Sequence, residues 1–271
     1  MDSLINFEGL SEIVINFTNK LSDAVGWIAN RETPNKLAMN TYIKEIQESE
    51  MDPLVKAALI SNARKTIKEY CNQNDIFKIA IQSINKDANP QNIDDDWLAR
   101  FMDKAKVVSS KEFQWIWGEI LARECNIPGS IPSILLYSLE KMDKEDAETF
   151  ATLCRMSVKV EQENNPIIVR SKLKQYEEFG ITLDRLVNLS AIGLIEIDFN
   201  IVSNGYSLEF EKIPSRIQYY GQEYKVLNTK EIPIGNVIFT KAGQALSQSI
   251  EVDKIESFWE LYCLPLWKEK T

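Results

Sequence analysis

Histidine is absent from this chain, and glycine and proline are scarce, with 10 and 9 residues among 271. Without imidazole the chain lacks the commonest general base and metal ligand, so Ser-His-Asp and Cys-His centres are excluded. Few glycines and prolines favour long helices over a many-turned sandwich or barrel. No run of about 18 apolar residues occurs, which excludes a membrane-spanning helix.

Cysteine is also sparse, and no two cysteines form the close pair that structural zinc sites use. Cys71, Cys125, Cys154 and Cys263 are scattered, which indicates buried, reduced thiols. Such thiols fit a reducing compartment, and no basic segment followed by an apolar one opens the chain. We therefore expect a cytoplasmic protein that uses no metal and no other cofactor.

The charge balance is negative, because 40 acidic residues face 31 basic ones and give −9. A negative field repels nucleic acid and anionic lipid unless cations gather on one face of the fold. Apolar residues make up 44% of the chain, enough to build cores in two or three units. The composition therefore favours proteins over polynucleotides as partners.

Apolar residues recur at helical spacing through the first half of the chain. Residues 11–28 predict an amphipathic helix, and residues 35–50 predict a second, more exposed one. Asp52 and Pro53 then mark the start of a helix, as a cap and a first helical residue. Its predicted buried stripe comprises Leu54, Ala57, Ala58, Ile60, Ala63, Ile67 and Tyr70. Asp75 predicts the start of another helix, and residues 85–92 read as a linker.

The middle of the chain carries the clearest helix-start signals. Asp94, Asp95 and Asp96 precede Trp97, at a helix start where the macrodipole favours negative charge. The segment 109–112, Ser-Ser-Lys-Glu, fits a capping box that begins at Ser109. Two more helices are predicted over 131–142 and 144–156, the second capped by Asp143.

The last third of the chain changes in character. A helical segment is predicted up to Phe179, and another over 182–191. Apolar residues then alternate over 194–200, 206–210, 224–229 and 236–240, which predicts short strands. Asn204-Gly205 is a hairpin signal between the first two strands. A helix over 240–250 follows, and this order of elements resembles a winged helix.

The predicted fold is therefore mainly α. We expect a helical N-terminal region over 1–90, a helical middle unit over 91–160 and a winged-helix-like α+β domain over 161–271.

One long segment of the chain, residues 92–154, reads NIDDDWLARFMDKAKVVSSKEFQWIWGEILARECNIPGSIPSILLYSLEKMDKEDAETFATLC. Three shorter segments read LVNLSAIGLIEI, IPIGNVIFTKAGQAL and, near the start of the chain, KLSDAVGWI. Together these segments resemble a family of uncharacterised bacterial and prophage proteins, the DUF2806 domain family. The resemblance implies a setting among mobile elements, in the conflict between phage and host. It carries no catalytic residue to a position of this chain, and family membership does not settle chemistry.

Two acidic sets could bind a metal. Asp94, Asp95 and Asp96 could hold Mg²⁺, but neighbouring helical residues point about 100° apart, which favours a helix cap. Asp198 with Glu223 and Lys225 is similar to the carboxylate and lysine set of metal-dependent nucleases. Such a site would need two neighbouring strands that direct both carboxylates at one ion.

A winged-helix-like domain also raises the hypothesis of a DNA-binding transcriptional regulator. The candidate recognition helix over 182–192 offers only Arg185, which Asp184 offsets. From Glu161 onward 12 basic and 16 acidic residues give a net charge of −4, and phosphate binding requires cations. We therefore favour a protein partner over nucleic acid.

The C-terminal segment is the candidate partner-binding or self-association surface, because aromatic residues often anchor interfaces. Its residues are Trp259, Tyr262, Leu264, Leu266 and Trp267. The alternative is that this segment packs back on its own domain. The sequence thus predicts a non-enzymatic protein-interaction or regulatory component, with a DNA-binding regulator and a metal-dependent nuclease as alternatives.

Overall fold

The protein was analysed as a computed structural model, which divides into two compact units, Met1–Ser133 and Ile134–Thr271. The residues that the structure describes are 12–29, 36–169, 172–200, 205–211, 215–226 and 229–267. Within them the fold is mainly helical and ends in a region of small antiparallel sheets, which confirms the predicted class at this level. The finer division into three regions stays a prediction.

The first unit is built from long helices. Its elements are α1 (Glu12–Val25), α2 (Lys36–Glu48), α3 (Pro53–Ala80), a 3-10 turn at Pro90–Asn92, α4 (Asp95–Ala105) and α5 (Lys111–Asn126). Trp97 and Phe101 of α4 stack on each other, and Phe101 contacts Trp117 of α5. These buried rings form the centre of the core, which α3 closes by packing against α5.

The helix starts of this unit follow the cap signals, with one displacement. The Asp94 carboxylate accepts the Trp97 backbone N–H at 2.8 Å, so the predicted cap is confirmed. The predicted capping box at Ser109 is wrong by one residue, because α5 begins at Lys111 and Ser110 is its cap. The Ser110 hydroxyl accepts the Phe113 N–H at 3.5 Å and donates to Glu112 at 2.9 Å.

α3 differs from its prediction in two ways. The predicted new helix at Asp75 is wrong, since α3 runs unbroken from Pro53 to Ala80. No glycine or proline interrupts it, and Ile76 and Phe77 are buried, so packing outweighs the poor helix propensity of Asn72–Asp75. The predicted buried stripe is also wrong at its start. Leu54, Ala57 and Ala58 are exposed, whereas Ile60, Ala63, Ile67 and Tyr70 are half-buried.

A buried carboxylate holds the turn after α5. Glu124 accepts the backbone N–H groups of Gly129 at 2.6 Å and Ile131 at 2.9 Å, and only 1% of the residue is exposed. Burial raises the pKa of Glu124 above its ordinary value, although the N–H donors oppose the rise. The carboxylate therefore supplies the hydrogen-bond acceptor that the Gly129 and Ile131 N–H groups would otherwise find in water.

The second unit combines helices with short strands. Its helices are α6 (Ser133–Lys141), α7 (Lys144–Arg155), α8 (Leu173–Tyr176), α9 (Leu183–Ala191), α10 (Lys241–Ser247) and α11 (Leu264–Trp267), the last preceded by a π turn at Trp259–Cys263. Asp143 and Asp146 form the capping box of α7, which confirms the predicted cap. The helix predicted to reach Phe179 is only α8 followed by a 3-10 turn.

Eight strands lie in the described part of this unit: β1 (Ser157–Val160), β2 (Glu163–Pro166), β3 (Ile195–Ile197), β4 (Tyr206–Glu209), β5 (Ser215–Tyr219), β6 (Gln222–Val226), β7 (Glu231–Gly235) and β8 (Val237–Phe239). They form an antiparallel sheet in the order β2-β1-β5-β6, a β3-β8 pair and a β4-β7 pair. Buried Ile195 of β3 lies opposite buried Phe239 of β8.

The hairpin predicted at Asn204-Gly205 is wrong, because β3 and β4 pair with β8 and β7 and not with each other. Asn204 itself lies outside the described residues. The observed hairpin between β5 and β6 turns at Tyr220-Gly221, where both residues are left-handed, with φ of +47° and +80°. A tyrosine at such a position gives no sequence signal for a tight turn.

Candidate functional site

The candidate DNA-recognition helix, α9, is capped by Thr182, whose hydroxyl accepts the Arg185 N–H at 3.4 Å. Leu186 and Leu189 are buried, and α9 packs against α7 and β3. Beside this buried side, Leu183 and Val187 are 38% and 41% exposed. Because residues four apart lie above each other on a helix, these two side chains form one apolar patch, here called the α9 patch.

The only basic residue of α9, Arg185, binds groups of the second unit itself. The Arg185 Nη2 lies 2.5 Å from Glu145 Oε1, and its Nη1 donates to the Gly180 carbonyl at 3.0 Å. The guanidinium thus ties α9 to α7 and to the turn before α9. The exposed side of α9 presents Asp184 and the α9 patch. Such a side is poorly suited to phosphate oxygens and suited to another apolar surface.

The aromatic residues of the C-terminal segment lie inside the second unit. Trp267 is fully buried and its indole N–H donates to the Pro233 carbonyl at 2.7 Å. Trp259 is buried and stacks on Tyr224, with ring centroids 3.4 Å apart. Tyr262 is buried and donates to Glu178 at 3.0 Å. Burial and this hydrogen bond to a carboxylate raise the pKa of Tyr262 to about 12.

The leucines of the same segment face outward. Leu264 is 38% exposed, and Leu266 is half-buried. Leu261 is 65% exposed, which the sequence reasoning missed because it followed the aromatic residues. Partner binding by this segment stays a prediction. The buried positions of Trp259, Tyr262 and Trp267 leave Leu261 and Leu264 as the side chains that a partner could contact without local unfolding.

The nuclease-like set is divided between sheets. Asp198 follows β3, which pairs with β8, whereas Glu223 and Lys225 are on β6 at the edge of the four-stranded sheet. Glu223 lies 3.4 Å from Arg216 and accepts from Gln218 at 3.2 Å, so its carboxylate is held by neighbouring β5 side chains. The two carboxylates therefore do not lie on the neighbouring strands that such a metal site requires.

The Asp94–Asp96 cluster is divided between separate tasks. Asp94 caps α4, and Asp95 forms an ion pair with Lys20 of α1. Over the described ranges there is no group of three or more cysteine, aspartate or glutamate side chains placed to hold a metal ion.

The four cysteine thiols are unpaired; Cys71 is half-buried and the others are buried. Burial raises the pKa of the Cys125 thiol, and the same cause acts on Cys154 and Cys263.

One open groove of about 490 Å³ lies on the four-stranded sheet of the second unit. Lys159, Asn164 and Gln218 line it from adjacent strands, since Lys159 is in register with both of the others. Asn164 is engaged by the end of α10, donating to the Ser247 hydroxyl at 3.1 Å. The groove contains one ammonium group and one carboxylate, that of Glu251, and a cluster of hydroxyl and amide groups.

Comparison with known families places the chain. The model of the family described as "Protein of unknown function (DUF2806)" matches residues 61–262, so this chain belongs to that family and the predicted resemblance is confirmed. No curated protein and no solved structure matches it. Among the helices that the structure describes, none has the length and apolar character needed to cross a membrane.

Proposed function

We propose that this protein is a non-enzymatic protein-interaction or regulatory component, and that the α9 patch is a contact surface for a protein partner. The observation that carries the proposal is the exposed pair Leu183 and Val187 on a helix whose only basic side chain is engaged elsewhere. An exposed apolar pair beside one carboxylate, Asp184, favours a partner surface that is apolar with a cationic rim.

The same elements support a winged-helix-like arrangement. α9 is followed by β3 and, after the intervening strands, by its antiparallel partner β8 and by α10. In a DNA-binding domain of this kind, the helix in the position of α9 would supply cations and base-reading side chains. Arg185 is the only cation in α9 and is bound to Glu145, so the arrangement favours protein binding over the DNA-binding alternative.

The proposed setting follows from the family and the composition. The resemblance to bacterial and prophage proteins implies a setting among mobile elements, which favours a role in phage defence or counter-defence. The four unpaired thiols, three of them buried, fit a cytoplasmic location. The nuclease alternative has less support, because Asp198 and Glu223 belong to different sheets.

The proposal is tested with a charge-neutral variant of the patch, Leu183→Gln with Val187→Gln. Immobilised wild-type protein and this variant are compared for the proteins they retain from bacterial lysate, with and without phage infection, by quantitative mass spectrometry. We expect one or a few proteins to be retained by the wild type and lost by the variant. A control replaces two exposed apolar residues outside α9, Val107→Gln with Ile127→Gln, which are 64% and 56% exposed.

Two results would overturn the proposal. One is an identical set of retained proteins for the wild type and the α9 variant, with circular dichroism showing both folded. The other is salt-sensitive binding of duplex DNA, or cleavage of DNA with added magnesium, by the purified wild type.

A further inference from the structure

The first two turns of α3 carry an apolar surface that the rest of the described first unit leaves uncovered. Leu54 is 78% exposed, Val55 47% and Leu59 37%, and Ala58 lies exposed between them. Met51, just before the helix, is exposed as well. We call these five residues the α3 face. Isolated exposed leucines are ordinary, but four neighbouring apolar positions on one helix, with Met51 just before it, mark an interaction surface.

The α3 face is distinct from the side of α3 that packs within the unit. Ile60, Ala63 and Ile67 are half-buried at the spacing of one helix side, and α2, with buried Ile43 and Ile46, packs against α3. Lys56 is on that same side, and its ammonium donates to the Gln47 carbonyl at 3.0 Å. Further along, Ile76 and Phe77 are buried in the core. The early part of α3 thus packs on one side and presents its other side, the α3 face, to solvent.

Charges flank the α3 face asymmetrically. Before it lie the exposed carboxylates of Glu48, Glu50 and Asp52, and after it lie the exposed cations Arg64, Lys65 and Lys68. The nearest ion pairs are local and solvated: Lys65 with Glu69 at 3.8 Å, and Lys44 with Glu48 at 3.6 Å. The Asp52 carboxylate caps α3 by accepting the Leu54 N–H at 2.8 Å. Exposed ion pairs contribute little, so Glu48, Glu50 and Lys65 are available to an approaching surface.

From this arrangement we infer that the α3 face binds the α3 face of a second copy of the chain, with the two helices antiparallel. Glu50 lies eight residues before Ala58 and Lys65 lies seven residues after it. Seven residues make about two turns, so Lys65 is on the same side of α3 as Ala58. A two-fold axis at Ala58 therefore brings the acidic end of each copy to the basic end of the other. The apolar residues meet at the centre, where the small Ala58 allows close approach.

The charge pattern identifies a second copy as the occupant. The surface is acidic at one end, apolar in the middle and basic at the other. When a second copy is rotated by 180°, its basic end meets the acidic end of the first copy, so the surface is complementary to itself, as a two-fold contact requires. A parallel arrangement would set like charges side by side. Five apolar residues per copy are a small contact compared with the roughly 800 Å² per partner of a stable interface, so we expect a reversible dimer.

The test uses the full chain in sedimentation velocity over a concentration series. We expect a monomer–dimer equilibrium in the wild type, and Leu54→Gln with Leu59→Gln should weaken it about tenfold or more. Glu50→Lys alone and Lys65→Glu alone should each weaken it, because each sets like charges together. The two substitutions in one chain should restore it, since the pair is then reversed in both copies.

Mixing gives a second readout. Copies with Glu50→Lys and copies with Lys65→Glu should form mixed dimers more readily than either forms with itself. Lys86→Glu, an exposed lysine away from the face, is the matched control and should change nothing. A monomer at every concentration, or a dimer indifferent to Leu54, overturns the inference. Association that appears only after removal of residues 1–11 also overturns it, because that segment would then be the occupant. The α9 variant tests a different surface, so the two proposals can fail separately.

Discussion

The guanidinium of Arg185 on α9 and the carboxylate of Glu145 on α7 lie 2.5 Å apart. This ion pair joins the candidate recognition helix to its neighbour, while Arg185 also reaches the Gly180 carbonyl at 3.0 Å. The only cation of α9 is therefore part of the packing of the second unit. Its removal is expected to affect stability and to leave nucleic-acid affinity unchanged.

The first prediction follows from this pair. Glu145→Gln should lower the free energy of unfolding by about 0.2–1 kcal/mol, because the pair is partly exposed. Arg185→Ala should cost more, since it also removes the hydrogen bond to Gly180. Urea denaturation followed by circular dichroism measures both. Fluorescence anisotropy with labelled duplex DNA at low salt should give the same weak signal for all three proteins. A clear loss of binding in Arg185→Ala would contradict the protein-binding interpretation of α9.

The second prediction concerns Glu124, which accepts the backbone N–H groups of Gly129 and Ile131 in the turn after α5. Glu124→Gln should lower the free energy of unfolding by about 1–3 kcal/mol, because an amide offers one acceptor oxygen where the carboxylate offers two. Glu119→Gln, on the same helix and only half-buried, is the matched control. Equal stability of wild type and Glu124→Gln would contradict the structural role of this carboxylate.

The penalty of Glu124→Gln should also depend on pH. Burial raises the folded pKa of Glu124 above its ordinary 4.5, so the unfolded chain loses this proton first as pH rises. Between the two pKa values the folded state binds more protons, and the contribution of Glu124 to stability falls as pH increases. The difference in unfolding free energy between wild type and variant should therefore be largest below the unfolded pKa and shrink above it. A difference that grows with pH would refute this sign.

The third prediction separates the buried and exposed members of the C-terminal segment. Trp267→Ala should cost about 3–5 kcal/mol, because it empties a fully buried site and leaves the Pro233 carbonyl without its donor. Leu261→Gln and Leu264→Gln should change stability by no more than about 0.5 kcal/mol. Thermal and urea unfolding of each variant provide the comparison. If Trp267→Ala is as mild as Leu264→Gln, the segment does not pack as described.

Local signals predicted the helices well. The starts of α4, α7 and α3 are predicted by Asp94, Asp143 and Asp52. Each of these carboxylates accepts a free backbone N–H in the first turn of the helix that follows it, so the signal is local. The wrong helix start at Asp75 arises because local sequence does not distinguish a residue that caps a helix from the same residue inside one. The burial of Ile76 and Phe77, which keeps the helix continuous through Asp75, is a tertiary contact and gives no local signal.

Strand pairing and exposure were harder to predict. Alternation identified β3 and β8, but it carries no information on partners, so Ile195 was assigned a neighbour in sequence and not its true partner Phe239. β2 contains Asn164 and Asn165, and its polar sequence does not predict a strand. Pairing with β1 and the hydrogen bond from Asn164 to Ser247 of α10 stabilise it. The exposure of Leu54 was missed for a related reason, because periodicity finds an apolar side of a helix without finding what covers it.

The partnership of β3 with β8 has a consequence for synthesis. During synthesis Ile195 of β3 leaves the ribosome well before its partner Phe239 of β8. Until β8 has been made, the apolar side of β3 therefore stays exposed to solvent. The first unit has no comparable delay, because α3, α4 and α5 follow one another closely along the chain. The N-terminal unit is therefore expected to mature first, and the late-closing strands to be the part most exposed to misassembly or to capture by a chaperone.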